Sequence, residues 1–219
     1  HVVLSVSDGS TTVLDGFTVT NGNANNAANS ITVESRLITG ERGAGMNNRT
    51  TIPTVNNCMF TANQGTLGVG MYNNASNLTI TDCSFTNNTG THSGAGMRNE
   101  SSSPAITNCT FSGNTLSGGT GAGLYNVSNS NPTISKCQFL GNNASTTGTG
   151  GGVTNSGSNP TITNCLIAGN TSNFGGGMQN AQGAIPNIIN CTFSGNKAIN
   201  ASEGGGAVYN SSSSPTLTN

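Results

Sequence analysis

Apolar positions in this chain show no 3.6-residue helical period and no long alternation; they come in short groups that recur along the chain. The clearest copy is "ITNCTFSGN", residues 106–114, which returns as "IINCTFSGN" at 188–196. Cys58, Cys83, Cys109, Cys137, Cys165 and Cys191 mark the register, with spacings of 25, 26, 28, 28 and 26 residues. Two residues after each stands Phe60, Phe85, Phe111, Phe139, Ile167 or Phe193. Three further on stands Asn63, Asn88, Asn114, Asn142, Asn170 or Asn196. A second phrase alternates with the first: "GAGMNN" (43–48), "GVGMYN" (68–73), "GAGMRN" (94–99), "GAGLYN" (121–126), "GGGVTN" (150–155), "GGGMQN" (175–180) and "GGAVYN" (205–210). A third, often opened by proline, carries Ile80, Ile106, Ile134, Ile162, Ile188 or Leu217.

Each repeat therefore predicts three short strands, which cannot bury an apolar face alone and are stable only when stacked on their equivalents. The expectation is an all-β chain: a parallel β-solenoid of about eight rungs of 25–30 residues, roughly 35–40 Å long at the usual strand spacing. Cys109 and Phe111, two apart, point inward, with Thr110 and Ser112 facing water. Ile106 lies three before the cysteine, so the chain must turn near Thr107 and Asn108, and Gly113 with Asn114 makes the next bend. "VLDGFTVTNG" (13–22) fits the frame with Phe17 at the cysteine position and Val19 at the phenylalanine position. The interval from Phe17 to Cys58 is long by about 14 residues, which places an insertion within 23–42 of an otherwise single domain, 1–219. "SPTLTN" (214–219) stops where earlier copies run on into a cysteine, so the chain reads as a piece of a longer protein.

The six cysteines have even spacing rather than the paired spacing of zinc sites, and read as buried free thiols that act as small hydrophobes. A disulfide between rungs would require side chains to twist toward each other. The asparagine column reads as a ladder of amides at a turn, where left-handed backbone is tolerated, and the column Asn73 to Asn210 reads the same way.

The repeats resemble the polymorphic outer membrane protein repeats of chlamydiae and related right-handed β-helix repeats of bacterial surface proteins, marked by Phe-x-x-Asn and Gly-Gly-Ala-aliphatic phrases. Phe-x-x-Asn occurs five times and is nearly met at Ile167; Gly-Gly-Ala-Val occurs once, at 205–208. The resemblance implies a right-handed parallel β-helix, displayed on a cell surface or secreted.

Charged residues are 6% of the chain, against roughly 25% in ordinary domains, and the net charge is -1. No basic footprint exists for nucleic acid, and no run of about 18 apolar residues for a membrane span. The nearest approach to the carboxylate-and-arginine groove of polysaccharide-active enzymes is Glu34, Arg36, Glu41, Arg42 and Arg49, which reads as a solvated loop. No catalytic, cofactor or metal constellation is expected. Outward threonine pairs (Thr79/Thr81, Thr161/Thr163, Thr216/Thr218) suggest an ice-matching face, but Ala105, Asn187 and Ile189 break the ranks. The expected function is an extracellular, non-enzymatic structural or adhesive module of a bacterial surface protein, stalk or filament. Self-association end to end, or a surface glycan or protein partner, would fit. The alternative is a glycan-binding or polysaccharide-active β-helix using the outward Asn/Ser/Thr face or the insertion.

Overall fold

The computed structural model describes residues 1–7, 12–200 and 204–219. Three long parallel sheets run the length of a β-solenoid. We name each by its inward side chains. The methionine sheet stacks eight strands, from Val3–Val6 through Met46–Arg49, Met71–Asn74, Met97–Glu100, Leu124–Val127, Val153–Ser156 and Met178–Ala181 to Val208–Ser211. The isoleucine sheet also stacks eight, Val13–Asp15 to Thr216–Thr218; the phenylalanine sheet stacks seven, Thr18–Thr20 to Thr192–Ser194. Register is kept residue for residue: Ile80 pairs with Ile106 and Ile106 with Ile134, while Phe85 pairs with Phe111 and Phe111 with Phe139. Along one side of the core Phe60, Phe85, Phe111 and Phe139 stack ring on ring, with centroids 4.9, 4.8 and 4.8 Å apart. Stacked strands at this spacing leave parallel rings no other low-energy choice.

Three strands per repeat is one too few. After most ladder asparagines a fourth short strand forms, as at Gln64–Leu67, Thr89–Ser93 and Thr115–Leu116, which pair with Asn23–Ala24 in a four-stranded sheet; after Asn142 isolated bridges from Asn143 to Thr115 and Thr171 take its place. Their inward residues are Ala24, Gly65, Gly90 and Leu116, too small for the most part to leave an apolar signature.

The corners differ in detail from the expected ones. Thr107 stays in its strand, and the turn falls on Asn108, at φ 53°. Equivalent positions Asn57, Asp82, Lys136, Asn164 and Asn190 all have positive φ. At the next bend the left-handed residue is the one before the ladder asparagine: Ala62, Asn87, Gly113, Gly141, Gly169 and Gly195. The ladder asparagines themselves point into the core, so their amides rather than their backbone tolerance explain the column. Phe17 keeps its register, since the Met59 N–H donates to its carbonyl (2.8 Å). Its side chain is nevertheless 58% exposed, whereas Val19, two residues on, is buried as expected.

Lys136 is the ill-suited corner residue, since a left-handed lysine lacks the local hydrogen bonding that makes asparagine tolerable there. Its neighbours in the column are Asn108 and Asn164, and all three are exposed. Lys136→Asn is expected to stabilise the protein by about 0.5–1 kcal/mol, measured by chemical denaturation; a loss of stability would show that the lysine stem packs usefully on its neighbours.

Two more columns complete the stack. All six prolines, Pro53, Pro104, Pro132, Pro160, Pro186 and Pro215, open isoleucine-sheet strands, where a missing N–H costs little and the carbonyl still accepts, as from Pro104 to the Thr133 N–H (3.2 Å). Just before them runs a buried serine ladder: the N–H groups of Ser76, Ser102 and Ser130 donate to the Oγ of Ser102, Ser130 and Ser158 (2.9, 3.0 and 3.1 Å).

Candidate functional site on the outer face of the methionine sheet

The residues singled out by spacing form the scaffold. Cys58, Cys83, Cys109, Cys137, Cys165 and Cys191 are free thiols in one column, buried except for Cys191, which is partly open. Each donates to the carbonyl two residues earlier, as Cys109 Sγ does to Thr107 O (3.2 Å). Burial pushes the Cys58 thiol up from its ordinary value. Asn63, Asn88, Asn114, Asn142, Asn170 and Asn196 form one continuous amide chain, Nδ2 to Oδ1, at 2.9–3.0 Å per step. A second chain runs Asn48–Asn73–Asn99–Asn126–Asn155–Asn180–Asn210 at 2.8–2.9 Å. These amides are committed to the fold, so candidate functional groups lie on the outer faces.

The outward residue of the methionine sheet is the variable one in the glycine phrase: Asn47, Tyr72, Arg98, Tyr125, Thr154, Gln179 and Tyr209, in register. All three tyrosines of the chain fall in this column. The glycine four residues earlier lets each side chain fold back over the corner. Gly94 and Gly121 have φ of 61° and 68°, and a Cβ on them would lie 2.8 and 2.9 Å from the Cβ of Arg98 and Tyr125.

Tyr72, Arg98 and Tyr125 are joined across rungs by charge. Arg42 donates to the Tyr72 hydroxyl (3.1 Å) and sits 5.3 Å from its ring centroid. The Tyr72 hydroxyl donates to Glu100 Oε2 (2.8 Å). Arg98 donates to the same oxygen through Nε (3.2 Å) and Nη2 (3.0 Å), reaches Ser93 Oγ (2.6 Å), and lies 5.0 Å from the Tyr125 centroid. Tyr72 is fully buried beneath this network. Burial, reinforced by the Glu100 charge, pushes its phenol up to about 12. Burial also works against the Glu100 charge, but the Tyr72 hydroxyl and the Arg98 guanidinium outweigh it and hold its carboxyl below the usual range. At neutral pH Tyr72 is thus protonated and Glu100 ionised, so the pair offers hydrogen bonding and charge rather than proton transfer.

Glu100→Gln is expected to cost about 1–2 kcal/mol at pH 7, toward the low end for charge-assisted bonds because the Glu100 side chain is 26% exposed. Since its carboxyl is lowered by folding, the stabilisation is present above the ordinary carboxylate range and is lost as pH falls through the folded value. The gap between wild type and variant should therefore close in acid; melting curves showing an equal gap at acid and neutral pH would refute this. For Tyr72 the sign is opposite: its contribution is complete below pH about 10 and fades toward 12.

The charges concentrated near the insertion do not form a groove. Glu34 and Ser35, both with positive φ, turn the antiparallel hairpin Ile31–Val33/Arg36–Ile38. Arg36 reaches Ser7 Oγ (3.2 Å), and Arg49 lies in register with Asn74 and Glu100. Only Arg42 joins the tyrosine network. Sequence reasoning passed over Tyr72, Arg98, Glu100 and Tyr125. The available signal was that every tyrosine occupies the one variable position of a phrase that is otherwise small residues, an aliphatic and asparagine.

Among the described residues no group of three or more His, Cys, Asp or Glu side chains is placed to hold a metal ion, and no helix is long and apolar enough to cross a membrane. No curated protein and no solved structure matches the chain. A family model described as the right handed beta helix region matches residues 90–219, more than half of the sequence, and covers four of the six cysteine repeats. The solenoid is accordingly right-handed, and the chain belongs to the right-handed β-helix family.

Proposed function

We propose that this chain is a non-catalytic structural or adhesive rod, displayed outside a bacterial cell as part of a surface protein, stalk or filament. The observation that carries the reading is the commitment of its polar groups. Two asparagine ladders, a serine ladder and the thiol column are buried in the stack. The charges that meet over the methionine sheet are closed on themselves as Arg42–Tyr72–Glu100–Arg98. A surface of Ser, Thr and Asn with few charges keeps its properties across a wide range of salt, which suits an extracellular rod.

The test is proteinase treatment of intact cells producing the full-length protein with an epitope tag in the 31–38 hairpin, together with a polysaccharide lyase and hydrolase screen. Loss of the tag from intact cells and a blank screen are expected. A tag protected until the cells are lysed would overturn the surface assignment. Turnover abolished by Arg98→Ala would overturn the non-catalytic one.

A further inference from the structure

The inserted segment on either side of the hairpin borders a cavity of about 450 Å³, lined by His1, Asn23, Asn25, Asn26, Asn29 and Gly40. A second hollow of about 170 Å³, lined by Asn21, Gly22, Asn23, Ala62 and Gln64, shares Asn23 with it. The first falls within the size range of ordinary small-molecule sites, roughly 300–1,000 Å³. We propose that this trough is a binding site for an uncharged saccharide.

The chemistry of the lining selects the ligand. Four asparagines line the main cavity, and Asn21 and Gln64 line the second hollow beside Asn23. Each amide offers two N–H donors and a carbonyl acceptor without charge, which matches hydroxyl groups that donate and accept in turn. Among the described residues, no Lys, Arg, Asp or Glu lines either hollow. A carboxylate or sulfate sugar would therefore lose hydration without gaining a counter-charge.

Of the four lining asparagines, one is committed to the loop itself. Asn26 makes the local turn: its Oδ1 accepts from the Ala28 N–H (2.9 Å) and its carbonyl from the Asn29 N–H (3.1 Å). His1 is fixed by a hydrogen bond from its ring to Gly43 O (3.0 Å). The exposed side chains of Asn23, Asn25 and Asn29 hydrogen-bond to no described residue, whereas a ladder amide such as Asn114 makes four such bonds. Three amides with no hydrogen bond to a described residue thus line one hollow, where they are available to a polar ligand. Among the described residues no aromatic side chain other than His1 lines the site, so affinity rests on hydrogen bonds and should be modest, with Kd on the order of 0.1–1 mM.

The inference does not rest on the rod reading, and its test is separate from the proteinase assay. Saturation-transfer NMR and calorimetry on the whole chain would use cellohexaose, xylohexaose, mannohexaose and chitohexaose, with hexagalacturonate as the acidic counterpart. At least one neutral oligomer should bind, and the double variant Asn25→Ala/Asn29→Ala should weaken it at least tenfold. Both side chains are exposed and unpaired, so the melting temperature of the variant should stay within a degree or two of wild type, which separates loss of binding from loss of fold. Asn23→Asp, which places a carboxylate where the two hollows meet, should weaken the same oligomer and serves if the double variant melts early. Absence of binding by all four neutral oligomers, tighter binding of hexagalacturonate, or binding unchanged in the variants would each overturn the proposal.

Discussion

Asn114→Ala is expected to remove about 4 kcal/mol or more of stability, the largest effect of any single side-chain truncation in the stack. The Asn114 side chain is wholly buried. Its Oδ1 accepts from the Asn88 backbone N–H (3.1 Å) and Nδ2 (3.0 Å), and its Nδ2 donates to Phe85 O (2.8 Å) and Asn142 Oδ1 (2.9 Å). Truncation deprives four buried partners at once, each worth roughly 1–3 kcal/mol when left unpaired, with local relaxation recovering part. Asn114→Asp isolates the cause: it keeps the volume and the acceptor but points a second oxygen at Phe85 O and Asn142 Oδ1, so it should be at least as harmful as alanine. Asn196→Ala, at the less buried end of the same ladder, should cost less than half as much. Chemical denaturation followed by circular dichroism reads all three. A cost below about 1 kcal/mol for Asn114→Ala would mean that the ladder records the stacking without stabilising it.

Gly123→Ala is expected to be nearly as damaging, at about 3 kcal/mol or more, although it adds a single methyl. A Cβ there would lie 2.4 Å from Gly152 O on the next rung, 3.2 Å from Asn142 Nδ2 and 3.3 Å from Asn142 Cγ. The nearest atom is backbone, and Leu124 N donates to that same Gly152 carbonyl (3.0 Å), so relief means separating two rungs that sheets on every side hold together. Overpacking of well-packed interiors costs roughly 1–3 kcal/mol and more where nothing can yield. Gly45, Gly70, Gly96, Gly152 and Gly177 face the same contact, at 2.4–2.6 Å, which explains why the third position of the glycine phrase resists substitution more than its second. That second position carries Ala44, Val69, Ala95 and Ala122, each with a side chain buried in small clusters of its own. If thermal melts of Gly123→Ala matched wild type, the tight rung contact would be shown to be slack.

The stack was legible because a solenoid repeats its constraints. Cys109 and Phe111 had to face inward two apart, and six copies at nearly constant spacing fixed which residues lie above one another. What escaped notice had weak or shared chemistry. The fourth sheet is built on inward residues such as Gly65 and Gly90, which read as loop. The second bend was legible at Gly113 with Asn114, but which of the two is left-handed was not, because both residue types tolerate that geometry and adjacent candidates cannot be told apart by propensity alone. The tyrosine network depends on Arg42, thirty residues before Tyr72 in sequence, folding across a corner to meet it. The amide-lined cavity lies in the one stretch, 23–42, that follows no repeat and therefore offers no register to read.

The hydrogen bonds between rungs, such as Ser84 N–H to Cys58 O and Thr110 N–H to Cys83 O, all run along the long axis of the solenoid. Tension applied end to end therefore loads the rungs in series, and the weakest interface opens first while the others hold. A rung of 26 residues adds about 4.8 Å to the rod when stacked and extends to roughly 85–95 Å once peeled away. Under force the protein would behave as a coiled tether with a large reserve of length, yielding one turn at a time instead of snapping.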